Sequence, residues 1–406
     1  MGQMPRSVPS STVNPSRGAA KGNTMKCDPS HPPGIGLLPT TQGGSDLAGN
    51  LHAVYELIRA RYPFLERIAL ALYDPGTDLL KTFISSNADQ VLLKRYEVKL
   101  SQVPSLATLA QRRESRVVHD IAAAFGTQST HSAWLVERGY RASYTRPVFQ
   151  GDELAGFLFF DAKEVGAFTV EVARFLDGFA DIVAQLFLLQ RRVVDGVLST
   201  VKVAVGLASL RDLETGQHLD RMAHYVRLMG RALAERHDLS DEYIEYLFLF
   251  APLHDIGKVG IPDRILLKPG RLDADEWTLM KEHVRIGEEI IGRIRHEVGG
   301  GDSLAGQVMH NIVAGHHERG DGSGYPRGLV LAQIPLEARI VAVADVYDAL
   351  SSRRVYKEAW GEAQVQAEML REVAAGRLDG ECVAALLEAT EARAAILAQF
   401  REEPEL

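Results

Sequence analysis

From His316 to Pro326 the chain runs His-His-Glu-Arg-Gly-Asp-Gly-Ser-Gly-Tyr-Pro, two adjacent imidazoles followed by a glycine-rich acidic turn. Upstream stand Glu214, His218, His254-Asp255 and His283, and downstream stands Asp345. These nitrogen and oxygen donors are of the kind that hold divalent metals, and they are too many for one ion. A multinuclear centre of this kind points to hydrolysis of a phosphate ester. A phosphodiester is anionic and repels hydroxide. Two cations ~3.5–4 Å apart neutralise its charge and turn a bridging water into a nucleophile near neutral pH. Asp255 is the candidate bridging carboxylate, because one carboxylate spans two ions and His254 cannot. Ligands without sulfur suit iron or manganese, and zinc also fits.

Each group has a bland reading beside the functional one. Glu214 and His218 are four apart, so on a helix they share a face, but that spacing is common by chance. Asp255 follows the apolar run Tyr246 to Leu253 and needs a partner there. A metal is one, and Lys258 is another. His283 shares a predicted helical face with Leu279, Ile286 and Ile290, where a lone histidine is more often a core residue than a ligand. His316 continues the face of Met309 and Ile312, and His317 that of Val313. The two project ~100° apart, which suits two metals or one metal and a substrate contact. Asp345 shares a face with Val341 and Asp348 and is expected to be buried. Gly322 and Gly324 loosen the turn backbone, Asp321 is expected to organise it by hydrogen bonds, and Tyr325 could stack on a base or pack on its own domain.

The elements that must position these groups are legible in outline. A helix is expected over Leu51 to Arg61. Strands are expected at Arg67 to Tyr73, Leu79 to Ile84 and Arg116 to Ile121, with a turn at Asp74-Pro75-Gly76. Ser143 to Phe149 and Glu153 to Phe160 read as a hairpin across Gln150-Gly151-Asp152. A long helix follows, Val170 to Leu210. Its seam of Phe175, Phe179, Ile182, Leu186 and Leu189, continued less regularly by Val193, Val197 and Val201, reads as a dimer contact. Beyond it the pattern is helical. Ser240 is a predicted cap, Asp273 with Glu276 a capping box, Asp302 a helix start, and Pro335 opens the helix carrying Asp345.

The 406 residues, 46% hydrophobic, suffice for two cores and a tail. Residues 1–44, rich in Pro, Ser, Gly and Thr, are expected to be disordered, and Met25 is a candidate start. A net charge of −8 argues against a nucleic-acid polymer as partner. Two cysteines far apart suit a reducing cytosol. No run reaches the ~20 apolar residues of a membrane span, and no signal peptide is evident, so a cytoplasmic location is expected.

The hairpin "SYTRPVFQGDELAGFLFFDA" resembles the last strands of a GAF domain, with a PAS-like domain the nearest competitor. "HDIGKVGIPDRIL", "EHVRIGEEII", "HHERGDGSGYPRGL" and "RIVAVADVYDALSSRRVYKEAW" are similar to the HD-GYP family, a branch of the HD metal-dependent phosphohydrolases. The resemblance implies an α+β GAF-like sensory domain over 45–168, a connecting and dimerising helix over 169–208 and an all-α HD-type domain over 209–400. It implies two or three divalent ions, iron or manganese, on Glu214, His218, His254, Asp255, His283, His316, His317 and Asp345, with Glu214 associated with a third ion. It implies hydrolysis of cyclic di-GMP to pGpG and onward to GMP. Lys258 would contact the phosphate or the attacking water, Arg354 and Lys357 a second phosphate, Tyr325 the substrate, and the loop of Asp321, Gly322, Gly324 and Pro326 a diguanylate-cyclase partner. Another cyclic dinucleotide, cyclic GMP-AMP, and a non-catalytic signalling scaffold are the alternatives. Gly320, Arg353, Val355 and "LVLAQIPLEAR" depart from the family pattern without removing a ligand. The sensory domain shows neither a haem ligand nor a cyclic-nucleotide signature, and its ligand is unidentified. His52, His119, His131, His224, His237, His296 and His310 read as structural or surface residues.

Overall fold

The computed structural model describes residues 47–87, 93, 96–126, 130–209, 216–297, 303–352 and 359–400. The tail over 1–44 and residues Glu214, Asp302, Arg353, Arg354, Val355 and Lys357 lie outside them. So do the side chains of Val193, Val197 and Val201.

The N-terminal part is built on α1 (Leu47–Arg61), β1 (Leu65–Asp74), β2 (Leu79–Asn87) and β3 (Glu97–Lys99), then α2 (Pro104–Arg112), β4 (Arg116–Val118), α3 (Ile121–Phe125) and α4 (Thr130–Glu137), and closes with β5 (Ala142–Gln150) and β6 (Glu153–Ala162). The strands form one antiparallel sheet in the order β3-β2-β1-β6-β5-β4. The predicted third strand is shorter than expected. Asp120 caps a helix at Ile121 by accepting from the backbone N–H groups of Ala122 and Ala123, which ends the strand at Val118. One sheet face packs on α1 and on α5 (Val170–Ser209) through Leu51, Ile58, Leu70, Phe160, Leu176 and Phe187. The other face carries Ala69, Ala71, Phe157 and Phe159 under Leu106 and Leu109 of α2.

Helix α5 has the predicted extent, and two apolar faces. Val172, Leu176, Ala180, Val183 and Phe187 are buried against the sheet. On the predicted seam, Phe175, Ile182 and Leu189 are exposed, while Phe179 and Leu186 are partly buried against the same core. Packing therefore uses the face beside the seam, because the sheet meets α5 along that stripe.

The C-terminal part is helical: α6 (Gly216–Leu233), α7 (Asp241–Phe250), α8 (Asp263–Leu266), α9 (Ala274–Glu297), α10 (Leu304–Gly315), α11 (Leu336–Ser351), α12 (Glu362–Ala374), α13 (Gly380–Glu388) and α14 (Thr390–Gln399). Between α7 and α8 run two short 3₁₀ turns, Ala251–Leu253 and Ile256–Gly260. The sequence caps act as read. Ser240 accepts from the Tyr243 amide, and Asp273 and Glu276 exchange side-chain-to-backbone bonds at 2.9 Å each. Ser303 is the described cap of α10. Met222, Tyr225, Phe250, Ile312, Val341 and Val383 belong to one core. Helix α7 also touches the sheet, where Thr82 Oγ1 donates to Asp241 Oδ2 at 2.5 Å, and Arg227 and Arg231 of α6 pair with Glu97. Among the described residues no helix is long and apolar enough to cross a membrane.

Candidate metal centre

Five segments of the helical part bring their donors to one pocket. His218 comes from α6 and His254-Asp255 from the junction of the two 3₁₀ turns. His283 comes from α9, His316-His317 from the end of α10, and Asp345 from α11. Asp255, His283, His316 and His317 offer ligand atoms all within 4.8 Å of one another, and so do His218, His254 and Asp345. The groups are neighbours: the His254 ring lies 6.0 Å from His218 and 5.3 Å from His316, centroid to centroid. Asp255 stands between them. Its Oδ2 lies 3.2 Å from His254 Nε2, and its Oδ1 lies 3.1 Å from His283 Nε2 and 3.6 Å from His316 Nε2.

The imidazoles are held in one tautomer. His254 Nδ1 lies 2.9 Å from the Ala251 carbonyl, His283 Nδ1 2.7 Å from that of Met280, and His316 Nδ1 3.1 Å from that of Val313. A carbonyl only accepts, so Nδ1 carries the proton and Nε2 presents its lone pair to the pocket. His218 Nδ1 is set likewise by Asp348 Oδ2 at 2.7 Å. The Nε2 atoms of His283 and His316 and Oδ1 of Asp255 are buried and make no hydrogen bond among the described residues. Buried acceptors facing one another without a proton between them are costly unless a cation sits there. The donor set therefore fits divalent metal, with nitrogen and oxygen ligands throughout.

Electrostatics favour the metal-ready charge states. Burial alone would raise the Asp255 carboxyl, but the Lys258 ammonium and His254 hold it well below its ordinary value. Lys258 Nζ lies 2.9 Å from Asp255 Oδ2. Burial lowers His316, and burial together with the His316 neighbour lowers His317 well below the usual imidazole value. Neutral imidazoles and an ionised carboxylate are what a divalent ion requires.

Several expectations need correction. Leu279 is exposed rather than part of the buried face of His283, since the first turns of α9 extend past the core; Val284 and Ile291 are buried on that helix instead. Asp345 is half-buried at the pocket, and the fully buried acid of α11 is Asp348. Tyr325 stands with its ring 4.7 Å from that of His317 and so roofs the group of Asp255, His283, His316 and His317, a position that leaves open its expected contact with substrate. His316 and His317 fall in the same group rather than in two.

Four residues to which the sequence alone assigns no role matter here: Asp348, Arg221, Glu318 and Gly257. Asp348 accepts from both Nε and Nη2 of Arg221, at 2.6 and 2.9 Å, while it fixes His218. Its signal was present: a second acid three residues after Asp345, and an arginine three after His218. Replacing Asp348 with asparagine is expected to weaken metal binding roughly 10–100-fold, the usual effect of losing the carboxylate behind a ligating histidine. Titration of the metal-free protein with Mn(II) checks this, and unchanged affinity refutes the positioning role. Glu318, 3% exposed, accepts from the Arg327 and Leu329 amides at 2.7 and 2.8 Å and ties the loop into a closed turn. Asp321 accepts from the amide and hydroxyl of Ser323, and Gly324 admits no side chain, since a Cβ there would stand 2.2 Å from the Arg319 nitrogen. Glu318→Gln is expected to cost about 1–3 kcal/mol in thermal unfolding, because one of the two charge-assisted bonds to backbone amides is lost and the other becomes neutral. A melting curve identical to that of the parent protein contradicts it. Gly257, the fourth, lets its turn press on α9.

Residues 209–382 match the family model described as HD domain. A probable cyclic di-GMP phosphodiesterase of Vibrio cholerae is 48% identical over 177 residues, 43% of this chain and 40% of that protein. A 3'3'-cGAMP-specific phosphodiesterase of the same organism is 43% identical over 160 residues, 39% of this chain and 28% of that protein. The chain thus spans less than half the length of these relatives. The phycocyanobilin-bound GAF domain of a cyanobacterial phytochrome aligns with 36% of this chain and 87% of its own, at 18% identity and a TM-score of 0.30.

Proposed function

We propose that the chain, whose residues 209–382 match the family model described as HD domain, is a metal-dependent phosphodiesterase of the HD-GYP type that opens a cyclic dinucleotide, cyclic di-GMP first, to pGpG and onward to GMP. The observation that carries this reading is the convergence of seven donor residues in two adjacent groups with Asp255 between them. His218, His254 and Asp345 would hold one ion, His283, His316 and His317 another, and Asp255 both. Glu214 is proposed for a third. Bound divalent ions, iron or manganese, supply charge neutralisation at the phosphate and an acidified water.

The protein's own groups do the rest. Lys258 keeps Asp255 ionised and adds positive charge at the rim for a phosphate oxygen. Tyr325 and the loop of Asp321, Gly322, Gly324 and Pro326 close one side of the pocket, which limits water and positions a base. Arg354 and Lys357 are proposed to hold the second phosphate, and the loop to meet a cyclase partner. The exposed Phe175, Ile182 and Leu189 support pairing of two copies along residues 170–205, with the GAF-like domain regulating a cytoplasmic enzyme. The test is anaerobic purification with Fe(II) or Mn(II), metal analysis, and chromatography of products from cyclic di-GMP and from 3'3'-cGAMP. A relative specific for the latter makes it the second reading. Binding of either nucleotide without cleavage by metal-loaded protein would leave only the scaffold alternative.

A further inference from the structure

Helix α14 carries none of the ligand residues, and it is fastened to the helical part by a charge rather than by an apolar face. Of its 10 residues only Arg393 is buried, while Ile396 is partly buried against the core. So short a helix with so narrow an apolar contact is not held in place by its own pattern. Arg393, 1% exposed, reaches two neighbouring helices. Its Nη1 donates to the Tyr347 hydroxyl of α11 at 2.8 Å and to Glu362 Oε1 of α12 at 2.7 Å. Its Nη2 donates to the Leu387 carbonyl at 2.9 Å, and the guanidinium lies 5.3 Å from the Tyr347 ring centroid. We propose that α14 is a clamp on the metal centre, with Arg393 and Phe400 as positioning residues for His218, and that uptake of the ion on His218, His254 and Asp345 depends on them. The proposal rests on the metal-centre reading given above.

The route from α14 to that ion is continuous. At the end of α14 the Phe400 carbonyl accepts from Arg221 Nη1 at 2.9 Å. Nε and Nη2 of the same guanidinium donate to Oδ1 and Oδ2 of Asp348, and Asp348 Oδ2 accepts from His218 Nδ1. A guanidinium is planar and rigid, so holding one corner on a carbonyl fixes the plane in which the others meet the carboxylate. Arg221 is 2% exposed, so water does not replace a carbonyl that moves away. The fork then re-aims on Asp348, and His218 follows. Two contacts keep the carbonyl in place. The Phe400 ring lies 4.7 Å from that of His224 on α6, and Arg393 anchors the helix that delivers it. Arg393 and Arg221 thus grip adjacent residues of α11, Tyr347 and Asp348. The other ligand group is set differently. His283 and His316 aim Nδ1 at carbonyls of their own helices, so a loosened α14 leaves them unmoved.

Titration of the metal-free full chain with Mn(II), followed by electron paramagnetic resonance well below the melting midpoint, tests this. Arg393→Met keeps the length of the side chain and leaves Glu362, 49% exposed, in water. It is expected to weaken one ion roughly tenfold, the lower end of the effect of losing a partner behind a ligand, and to leave another at its parental affinity. In a His218→Ala background the same substitution is expected to change nothing further, because the group it acts through is gone. Leu233→Ala, which opens a cavity in the same core at the far end of α6, is expected to lower the melting midpoint and leave every ion at parental affinity. Phe400→Ala is the second variant should Arg393→Met fail to fold, with the same selective weakening expected. Parental affinities in the α14 variant, equal weakening of all ions, further loss in the His218→Ala background, or the same selective loss in Leu233→Ala overturns the proposal alone. A parent protein that takes up fewer than two ions contradicts the metal-centre reading and the proposal with it. None of these readouts depends on nucleotide hydrolysis.

Discussion

Asp255→Asn is expected to remove at least half of the bound metal and to lower cyclic-dinucleotide turnover by more than ~100-fold, beyond the 10–100-fold typical of outer-shell changes. The substitution keeps the side chain's volume and one oxygen but deletes its charge. In the structure that charge faces His254 through one oxygen and His283 and His316 through the other, so its loss weakens both ligand groups at once. A ligand serving only one group, such as His218, should cost one ion. A factor of 100 corresponds to ~2.7 kcal/mol of lost transition-state stabilisation. Metal stoichiometry by elemental analysis, measured with turnover on the same sample, separates the outcomes. Full metal content with parental turnover would sink the bridging role. Full metal content with lost turnover would move Asp255 from ligand to substrate positioning.

How much of this was legible in the sequence depends on what each residue needs from its neighbours. Ligand types survive in any reading because imidazole and carboxylate in apolar helices demand an explanation. The strands of the hairpin and the caps at Ser240 and Asp273 were legible because turn and cap chemistry is local. The face α5 uses for packing and the buried role of Asp348 were not, because each is decided by what lies across the fold. Asp345 and Asp348 sit one helical turn apart in the same apolar run. Only α6, packed alongside with His218 and Arg221, distinguishes pocket acid from supporting acid. The short elements on the sheet's second face are silent in the sequence for a related reason. Short pieces such as β3 and α3 gain their stability from the layer they cover rather than from their own pattern.

The same dependence on contact makes Gly257→Ala the second large effect. Gly257 follows Asp255 by two residues, in the 3₁₀ turn that crosses α9. A Cβ built on it would stand 1.8 Å from the His283 carbonyl oxygen and 2.5 Å from the Gly287 nitrogen. Both obstacles are backbone, so no rotamer relieves them. Gly287 is equally confined, since its own Cβ would meet Val313 of α10 at 2.7 Å. The turn must therefore lift from α9, carrying Asp255 away from His283. Overpacking of this kind costs about 1–3 kcal/mol and more where backbone must shift, which for a domain of this size lowers the melting midpoint by roughly 2–12 °C or more. The destabilisation is expected to persist in chelator, because it is steric and precedes any ion, and to be larger in Mn(II), where weaker binding adds to it. Metal affinity is expected to fall as well, because the lifted turn separates the two halves of the ligand set. Melting curves of Gly257→Ala and the parent, each in chelator and in Mn(II), distinguish the causes. A Gly257→Ala protein that melts with the parent in chelator would refute close backbone contact between the turn and α9.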